Sequence, residues 1–447
     1  MAAEYVKERK RGMRGEADTI FALSSGRLPS GVAVVRLSGP HALEALAACS
    51  GTVPPARVAR YGVVRDPFTG EVLDRALMLA FRAPASATGE DSAEFHLHGG
   101  RAVVARMLDL LSRLPGLRLA QAGEFTRRAH ENGKIDLAEA EGLADLIAAE
   151  TEGQRRQALA QASGLLSRAV EAWRDRLVRA LALVEALVDF SDEGDVPEDV
   201  ISPALAEVEA LRNQLVTVLA DSVRGELVRE GLVVAIAGPP NAGKSTLLNR
   251  LAGREAAIVS AVPGTTRDLL EVHLDLAGQA VTLVDTAGIR DTDDEVEAEG
   301  VRRARARAGI ADLVLWLTID GAAPPQDLSG AVRVRTKSDL GHGGRGDVSI
   351  SAATGAGLED LVDLISRRAA ALTGGEPALV VRTRQKRELE EAVSHLSRFC
   401  ATARAGVSEE ILAEDLRLAA RALDKVVGRI DVEHVLDALF RTFCIGK

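Results

Sequence analysis

The 447-residue sequence contains few cysteines and few aromatic residues. Its three cysteines, Cys49, Cys400 and Cys444, are far apart and odd in number, so they form neither a disulfide framework nor a Cys-x-x-Cys metal site. This cysteine usage indicates the reducing cytosol, and we expect a cytoplasmic protein. Aromatic residues make up only 3 % of the chain, which disfavours a single-stranded RNA reader that stacks bases on exposed rings.

Long apolar stretches are also missing. None approaches the roughly 18 residues that a membrane-spanning helix needs, so we expect no membrane association. The N-terminal segment is basic but carries acids and no apolar core, which excludes a secretory signal, and we expect residues 1–16 to be a disordered extension. The net charge of −10 argues against general coating of nucleic acid, although it does not exclude local basic patches.

Short alternating strand and helix patterns predict an N-terminal α/β domain over residues 17–135, in which residues 116–135 form a short connector. Residues 83–100 of this domain are dense in turn residues, acids and histidines. They are compatible with a metal site or with a polar loop that enters a strand, and the loop is favoured because no ligand spacing matches a known metal site. The acids and histidines concerned are Glu90, Asp91, Glu94, His96 and His98.

Apolar residues at three- and four-residue steps predict helices over residues 136–230 and again over 373–447. Between them, residues 231–372 have the pattern of a complete α/β domain. Helices on both sides of such a domain indicate that it is inserted into one helical bundle. The predicted fold class is therefore multidomain, α/β plus all-α, with the N-terminal α/β domain, a helical bundle and an inserted α/β domain, which the motifs described next identify as a P-loop domain of the Ras-like type.

A phosphate-binding loop is the strongest local signal. An apolar run precedes GPPNAGKST at residues 238–246, and a helical pattern follows it, which is the setting that this motif requires. Backbone N–H groups at the helix N-terminus favour anions. Lys244 supplies a positive charge for the β- and γ-phosphates, and the Ser245 hydroxyl is a ligand for Mg²⁺.

Four further segments follow in the order that a GTPase needs. They are a switch loop whose Thr266 reaches Mg²⁺, the D-x-x-G motif that begins at Asp285, the base-binding motif TKSD, and the SAA segment that closes the base pocket. The Asp339 carboxylate can accept both N–H donors of guanine, so GTP is favoured over ATP. The predicted GTP-binding residues are Asn241, Ala242, Gly243, Lys244, Ser245, Thr246, Ser260, Thr265, Thr266, Asp285, Thr286, Ala287, Gly288, Thr336, Lys337, Asp339, Ser351, Ala352 and Ala353.

One expected residue is absent from the switch. Ras-like enzymes place a glutamine after D-x-x-G to orient the attacking water, whereas this chain has Ile289, which cannot do so. Arg290, Arg267 and the acidic run 291–299 supply the candidates for the missing catalytic roles. For most acids of that run, a solvated switch segment is the better interpretation.

Together these motifs resemble the MnmE (TrmE) family of tRNA-modifying GTPases. The resemblance covers nearly the whole chain from residue 18 onward, and the residues that carry it include GPPNAGKST, PGTTRD, DTAGIR followed by DEVE, GEFTRRAHENGKIDLAEAE and the terminal CIGK. One departure is Thr336, where the family usually has asparagine.

The resemblance implies a family that acts with a FAD-dependent MnmG-like partner, as a heterotetramer, on C5 of the wobble uridine of certain tRNAs. It implies an N-terminal folate-binding domain that dimerises, with a tetrahydrofolate derivative (the 5-formyl or methylene form) bound by Arg36, Glu94, Lys134 and Lys447. It also implies that K⁺ activates the GTPase, with Asn241, Ser260, Val262 and Thr265 as its ligands. By the same resemblance, Glu297 orients the attacking water and Cys444 takes part in the modification chemistry.

Alternatives stay open at this point. From the residues alone, a lone cysteine between Phe443 and Ile445 is more often a small buried hydrophobe, and only the CIGK motif reverses that interpretation. The chain could also be a regulatory GTPase of the ribosome-assembly type without a group-transfer site, or a folate-binding scaffold with vestigial hydrolysis. Basic pairs such as Arg127/Arg128 and Arg155/Arg156 offer RNA contacts, but a solvated helix face is the commoner role.

Overall fold

The computed structural model describes residues 18–189, 201–254, 257, 271–285, 311–341, 344–406, 408–430, 433–443 and 445–446. The chain divides into two compact units, Met1–Ala144 with Gly428–Lys447 and Asp145–Val427. The extension predicted for residues 1–16 lies outside the described residues. Within the described ranges, no helix is both long and apolar enough to cross a membrane.

The first unit is built on a six-stranded mixed sheet. Its strands are β1 (Thr19–Leu23), β2 (Ser30–Ser38), β3 (Arg60–Arg65), β4 (Val72–Phe81), β5 (Ser92–Gly99) and β6 (Leu117–Leu119), and its helices are α1 (Ala42–Ser50), α2 (Arg101–Ser112) and α3 (Glu124–Glu131). The strand order is β3-β4-β5-β2-β1-β6, and only the β1–β6 pair is parallel. Apolar residues of the sheet and of α1 and α2 form one core, which agrees with the predicted α/β character.

The prediction of a short connector over residues 116–135 is wrong, because this segment contains both β6 and α3. An ion-pair network compensates the polar sequence of α3. Glu124 is buried and accepts hydrogen bonds from Arg118 and Arg128, and Arg128 also pairs with Asp18 and Glu90. Buried charges are tolerated when they are paired in this way, and Phe125 and Ala129 bury the short apolar face of the helix.

The second unit contains four long helices that pack side by side: α6 (Leu165–Asp189), α7 (Ile201–Glu230), α10 (Thr383–Arg404) and α11 (Glu409–Val427). The shorter helix α5 (Glu152–Ala162) precedes them, and helix α4 (Leu137–Ala148) begins in the first unit and ends in the second. Large apolar side chains such as Trp173, Phe399 and Leu416 are buried in these helices. Helices from before and after the central sheet therefore form one four-helix bundle, although more than 150 residues of sequence separate α7 from α10.

The central sheet of the second unit contains β7 (Leu232–Ala237), β8 (Glu271–Leu276), β9 (Gln279–Asp285), β10 (Leu313–Thr318), β11 (Val332–Arg335) and β12 (Val348–Ser349). Helices α8 (Lys244–Ala252) and α9 (Leu358–Thr373) pack against it. The order is β12-β11-β10-β7-β9-β8, with β8 antiparallel and the other neighbours parallel. Ligands of such sheets bind beyond the carboxyl ends of the parallel strands, so this edge is where a site is expected.

The C-terminal residues pack within the first unit. Helix α12 (Glu433–Thr442) contributes Phe440, which is fully buried and packs with Leu137 and Phe443. Beyond it, Ile445 forms an isolated antiparallel bridge with Ala122, and the Ser24 hydroxyl donates a 2.8 Å hydrogen bond to the Gly446 carbonyl. The C-terminal segment is thus fixed to the end of β1.

Replacing Phe440 with alanine is expected to lower the free energy of unfolding by about 3–5 kcal/mol, because it removes a buried aromatic ring and leaves a cavity. Urea-induced unfolding of the full chain measures this loss. Phe68→Ala is the matched control: its ring is 56 % exposed and contacts Arg113 at 5.0 Å, so a loss of about 1 kcal/mol or less is expected. Equal losses for the two variants would contradict the assigned packing of α12.

Candidate nucleotide-binding site

The phosphate loop joins the end of β7 to the start of α8. Within it, Asn241 and Gly243 have positive φ angles of 59° and 92°, and Gly243 is the N-cap of the helix. Left-handed residues in such a loop form a concave nest of backbone N–H groups at the positive end of the helix dipole. The local backbone is therefore shaped for a polyphosphate, as the motif predicted.

Two side chains of the loop have defined partners. The Lys244 ammonium lies 2.9 Å from the Gly238 carbonyl and 3.0 Å from that of Pro239, so the lysine folds along the loop. The Ser245 hydroxyl donates a 2.8 Å hydrogen bond to Asp285, whose side chain is buried at the end of β9. A hydroxyl beside a carboxylate at a phosphate site is the hard oxygen set that Mg²⁺ prefers. The residues present fit the predicted magnesium ion.

The predicted base-binding motifs meet at the same edge of the sheet. A hydrogen bond from the Ser351 hydroxyl lowers the pKa of Asp339, an exposed carboxyl at the end of the predicted TKSD motif. The Ser338 N–H donates to the Ile350 carbonyl at 3.1 Å and joins the two motifs through the backbone. Ala352 and Ala353 form the turn that follows Ser351.

Thr336 links the base side of the site to the phosphate side. Its hydroxyl, which is buried, donates a 2.7 Å hydrogen bond to the Ala242 carbonyl in the phosphate loop. Its backbone N–H donates to the Thr318 carbonyl at 2.8 Å. The threonine therefore supplies a side-chain donor to the loop at the position where asparagine was expected, and Thr318 is a supporting residue that the motif analysis missed.

The following predicted residues lie outside the described residues: Ser260, Val262, Thr265, Thr266, Arg267, Thr286, Ala287, Gly288, Arg290, Glu297, Cys444 and Lys447. Thr246, which completes the predicted GTP-binding set, follows Ser245 in the first turn of α8 and is exposed.

In the first unit, two predicted folate-binding residues form an ion pair. The Arg36 guanidinium lies 2.9 Å from one oxygen of Glu94, and His96 lies 3.0 Å from the other. Burial raises the pKa of Glu94, but the hydrogen bond from His96 and the charge of Arg36 outweigh it, so the pKa lies below its usual value. Arg36 also lies 5.9 Å from the ring of Phe125, a residue that sequence reasoning had noted only as part of a motif.

The other candidate residues of this unit have protein partners. His98 bonds to Asp74 at 2.8 Å, Glu90 accepts from Ser38 at 2.7 Å, and Asp91 accepts from the Ala83 N–H. These contacts match the polar loop that was favoured over a metal site. Lys134 is exposed, and its backbone N–H donates to Ala129.

The basic pairs are engaged in the same way. Arg128 is occupied by the ion-pair network of α3, and Arg127 pairs with Asp437 at 2.8 Å. Arg155 pairs with Glu152, and Arg156 donates to the Gly375 carbonyl. Each of these four arginines therefore has a partner within the protein.

The geometry defines a P-loop guanine-nucleotide-binding protein, and comparison with known proteins is more specific. Residues 137–444 match the family described as MnmE helical domain, and residues 19–134 match GTP-binding protein TrmE N-terminus. The tRNA modification GTPase MnmE of Azorhizobium caulinodans is 66 % identical over 97 % of this chain and 100 % of its own length. That of Bradyrhizobium sp. (strain ORS 278) is 54 % identical over the same shares.

Among solved structures, the G domain of the T. maritima FeoB iron transporter has 25 % identity and a TM-score of 0.22, and the match covers 31 % of this chain and 98 % of that chain. On the family matches and the full-length relatives, the chain belongs to the MnmE (TrmE) family of tRNA modification GTPases. The resemblance found in the sequence is confirmed.

Replacing Thr336 with valine is expected to weaken GTP binding by about 5- to 150-fold, because the Ala242 carbonyl loses its buried donor while the side-chain volume is kept. Titration with a fluorescent guanine nucleotide measures the Kd. Thr336→Ser retains the hydroxyl and should bind nearly as tightly as the unchanged protein. Equal affinities of the valine and serine variants would show that the hydroxyl does not support the loop.

Proposed function

We propose that the protein is a potassium-activated GTPase that, with a FAD-dependent partner of the MnmG kind, modifies C5 of the wobble uridine of certain tRNAs. A one-carbon tetrahydrofolate, in the 5-formyl or methylene form, is the donor. One observation supports GTP binding by this chain: the hydrogen-bonded pairs Ser245–Asp285 and Asp339–Ser351 lie at the same edge of the central sheet. Family membership supports the tRNA part.

In the hydrolysis step, this chain's own groups bind and orient the triphosphate. Lys244 pairs with the β- and γ-phosphates, and Ser245 with Thr266 would hold Mg²⁺, which supplies positive charge to the phosphates when bound. Asn241 would hold K⁺ together with Ser260, Val262 and Thr265. Its exposed position in the loop suits that role.

Ile289 cannot position water, so we assign this role to Glu297, with Arg290 and Arg267 as supporting charges. The carboxylate accepts a hydrogen bond from the attacking water and holds it in line with the γ-phosphate. This orientation is a positioning effect that the motif glutamine provides in other GTPases.

For the modification chemistry, the first unit supplies the candidate groups. Arg36 and Glu94 form the paired centre of the proposed folate site, which Lys134 and Lys447 would complete. The same unit anchors Phe443, Ile445 and Gly446, the residues around Cys444. This shared location favours a chain with its own group-transfer site over a ribosome-assembly switch that has none.

The domain arrangement completes the proposal. We assign residues 17–135 to a folate-binding and dimerisation domain, 136–230 and 373–447 to one helical domain, and 231–372 to an inserted G domain. The packing of α6 and α7 against α10 and α11 supports the insertion, because α6 and α7 precede the G domain in the sequence and α10 and α11 follow it. Hydrolysis would then drive rearrangement of the G domains in a homodimer bound to its partner and tRNA, in the cytoplasm.

GTP hydrolysis is expected to be at least about tenfold faster in K⁺ than in Na⁺ at equal ionic strength, a difference of about 1.4 kcal/mol in activation free energy. Phosphate release under single-turnover conditions measures the rates. Asn241→Ala should lose the potassium stimulation and keep the rate seen in Na⁺. Equal rates of the unchanged protein in the two salts would exclude activation by the ion.

Replacing Cys444 with serine is expected to abolish the wobble-uridine modification, because a hydroxyl is a much weaker nucleophile than a thiolate. Nucleoside analysis of tRNA incubated with the variant, partner and folate measures the product. Cys400→Ser is the matched control, because Cys400 is buried in α10 of the second unit. GTP hydrolysis should be unchanged in both variants, and modified tRNA from Cys444→Ser would refute the role.

A further inference from the structure

Helix α5 makes hydrogen bonds to three separate parts of the chain that border the central sheet of the second unit. The Gly153 N–H donates a 2.8 Å hydrogen bond to the Gly278 carbonyl in the β8–β9 turn. The Gln154 amide donates to the Arg229 carbonyl, in the last turn of α7 before β7 begins. Further along the helix, the side chains reach the segment that leaves the sheet after α9.

That outgoing segment, residues 374–381, has no helix or strand of its own, yet its end is buried. Buried backbone groups outside secondary structure need other partners. Gln157 satisfies both backbone groups of Ala378. Its amide nitrogen donates a 2.8 Å hydrogen bond to the Ala378 carbonyl, and its amide oxygen accepts a 2.7 Å hydrogen bond from the Ala378 N–H. The Gln161 amide nitrogen donates further hydrogen bonds to the carbonyls of Ala378 and Leu379, at 2.9 Å each. Both glutamines are at most 4 % exposed.

The contact at Gly153 leaves no room for a side chain. A Cβ atom at this position would lie 2.7 Å from the Gly278 carbonyl oxygen, closer than carbon and oxygen approach without repulsion. Alanine is the better helix former, so the helix alone would favour it. The glycine is therefore explained by the approach of the turn and not by the helix.

The β8–β9 turn, which α5 contacts, leads directly into β9. This strand ends at Asp285, beside the predicted magnesium site. Gln279, the first residue of β9, also lies 2.6 Å from the Thr373 hydroxyl at the end of α9. β9 then runs seven residues to Asp285, which accepts the Ser245 hydroxyl. At about 3.3 Å per residue, the strand spans roughly 20 Å between the two contacts.

We propose that α5 couples the GTPase centre to the helical domain, with Gly153, Gln157 and Gln161 as its positioning residues. Displacement at Asp285 moves β9 as a paired strand, and its fixed turn passes the displacement to α5. The glutamines hold the outgoing segment to the same helix, and Gln154 holds the end of α7, so α5 contacts both segments that connect the central sheet to the helical bundle. This inference rests on the proposed function, in which hydrolysis drives tRNA modification elsewhere in the chain.

The first test uses Gly153→Ala, which favours the helix and displaces the β8–β9 turn. We expect GTP hydrolysis to stay within about threefold of the unchanged protein, whereas modified uridine formed per GTP hydrolysed falls at least about tenfold. Gln157→Leu keeps the side-chain size, removes both bonds to Ala378 and should act in the same direction. Leu159→Ala, on the same helix but 44 % exposed, is the matched control and should change neither quantity.

The second test begins with the unchanged protein. Amide hydrogen exchange of the full-length protein is compared with GDP and with a non-hydrolysable GTP analogue, and we expect exchange in α5 and in residues 374–381 to differ between them. Gly153→Ala should abolish that difference. Identical exchange in the unchanged protein, or normal modification per GTP in both variants, would overturn the proposal. If the unchanged protein modifies no tRNA, the proposed function fails, and the exchange measurement still decides whether α5 responds to nucleotide.

Discussion

The parallel pairing of β7 with β9 on one side and with β10 on the other determines where the nucleotide-binding groups lie. Parallel strands bring their carboxyl ends to one edge of the sheet. Asp285 therefore ends next to the phosphate loop and accepts the hydroxyl of Ser245, while Thr336 reaches the carbonyl of Ala242 from the other side. Motifs that are 94 positions apart in sequence are thereby joined in one hydrogen-bonded site.

The sequence predicts an element correctly where the pattern that defines it lies within that element. β7 covers the residues that the apolar run predicted, because a buried parallel strand followed by a glycine-rich loop leaves a contiguous pattern. Helix α3 was missed for the opposite reason. The buried charge of Arg128 is paired with Asp18 and Glu90, and the partner at Asp18 lies 110 positions away in sequence. Ion pairs between residues so far apart in sequence produce no hydrophobic periodicity. The sequence pattern therefore predicts a polar connector for this segment.

Helix α5 illustrates a second limit. Glutamines normally mark a solvated face, and the periodicity used for this region counts only apolar positions. In the fold, Gln157 and Gln161 are buried because their amides replace the backbone partners that residues 374–381 lack. A primary amide has one acceptor and one donor side, the same pair that a peptide group presents. A polar residue can therefore be part of the core when it completes an irregular segment, and only the tertiary structure shows which segment that is.

The glycine of the C-terminal motif CIGK is also explained by a contact with a distant part of the chain. Gly446 has a φ angle of 99°, and a Cβ atom there would lie 2.2 Å from the Leu23 carbonyl oxygen, so only glycine fits against the end of β1. Phe443 is packed with Phe440 on the other side of Cys444. The chain is thus held immediately before and immediately after the cysteine. The glycine at position 446 is therefore required by the approach of the β1 backbone, a steric reason that becomes visible only in the tertiary structure.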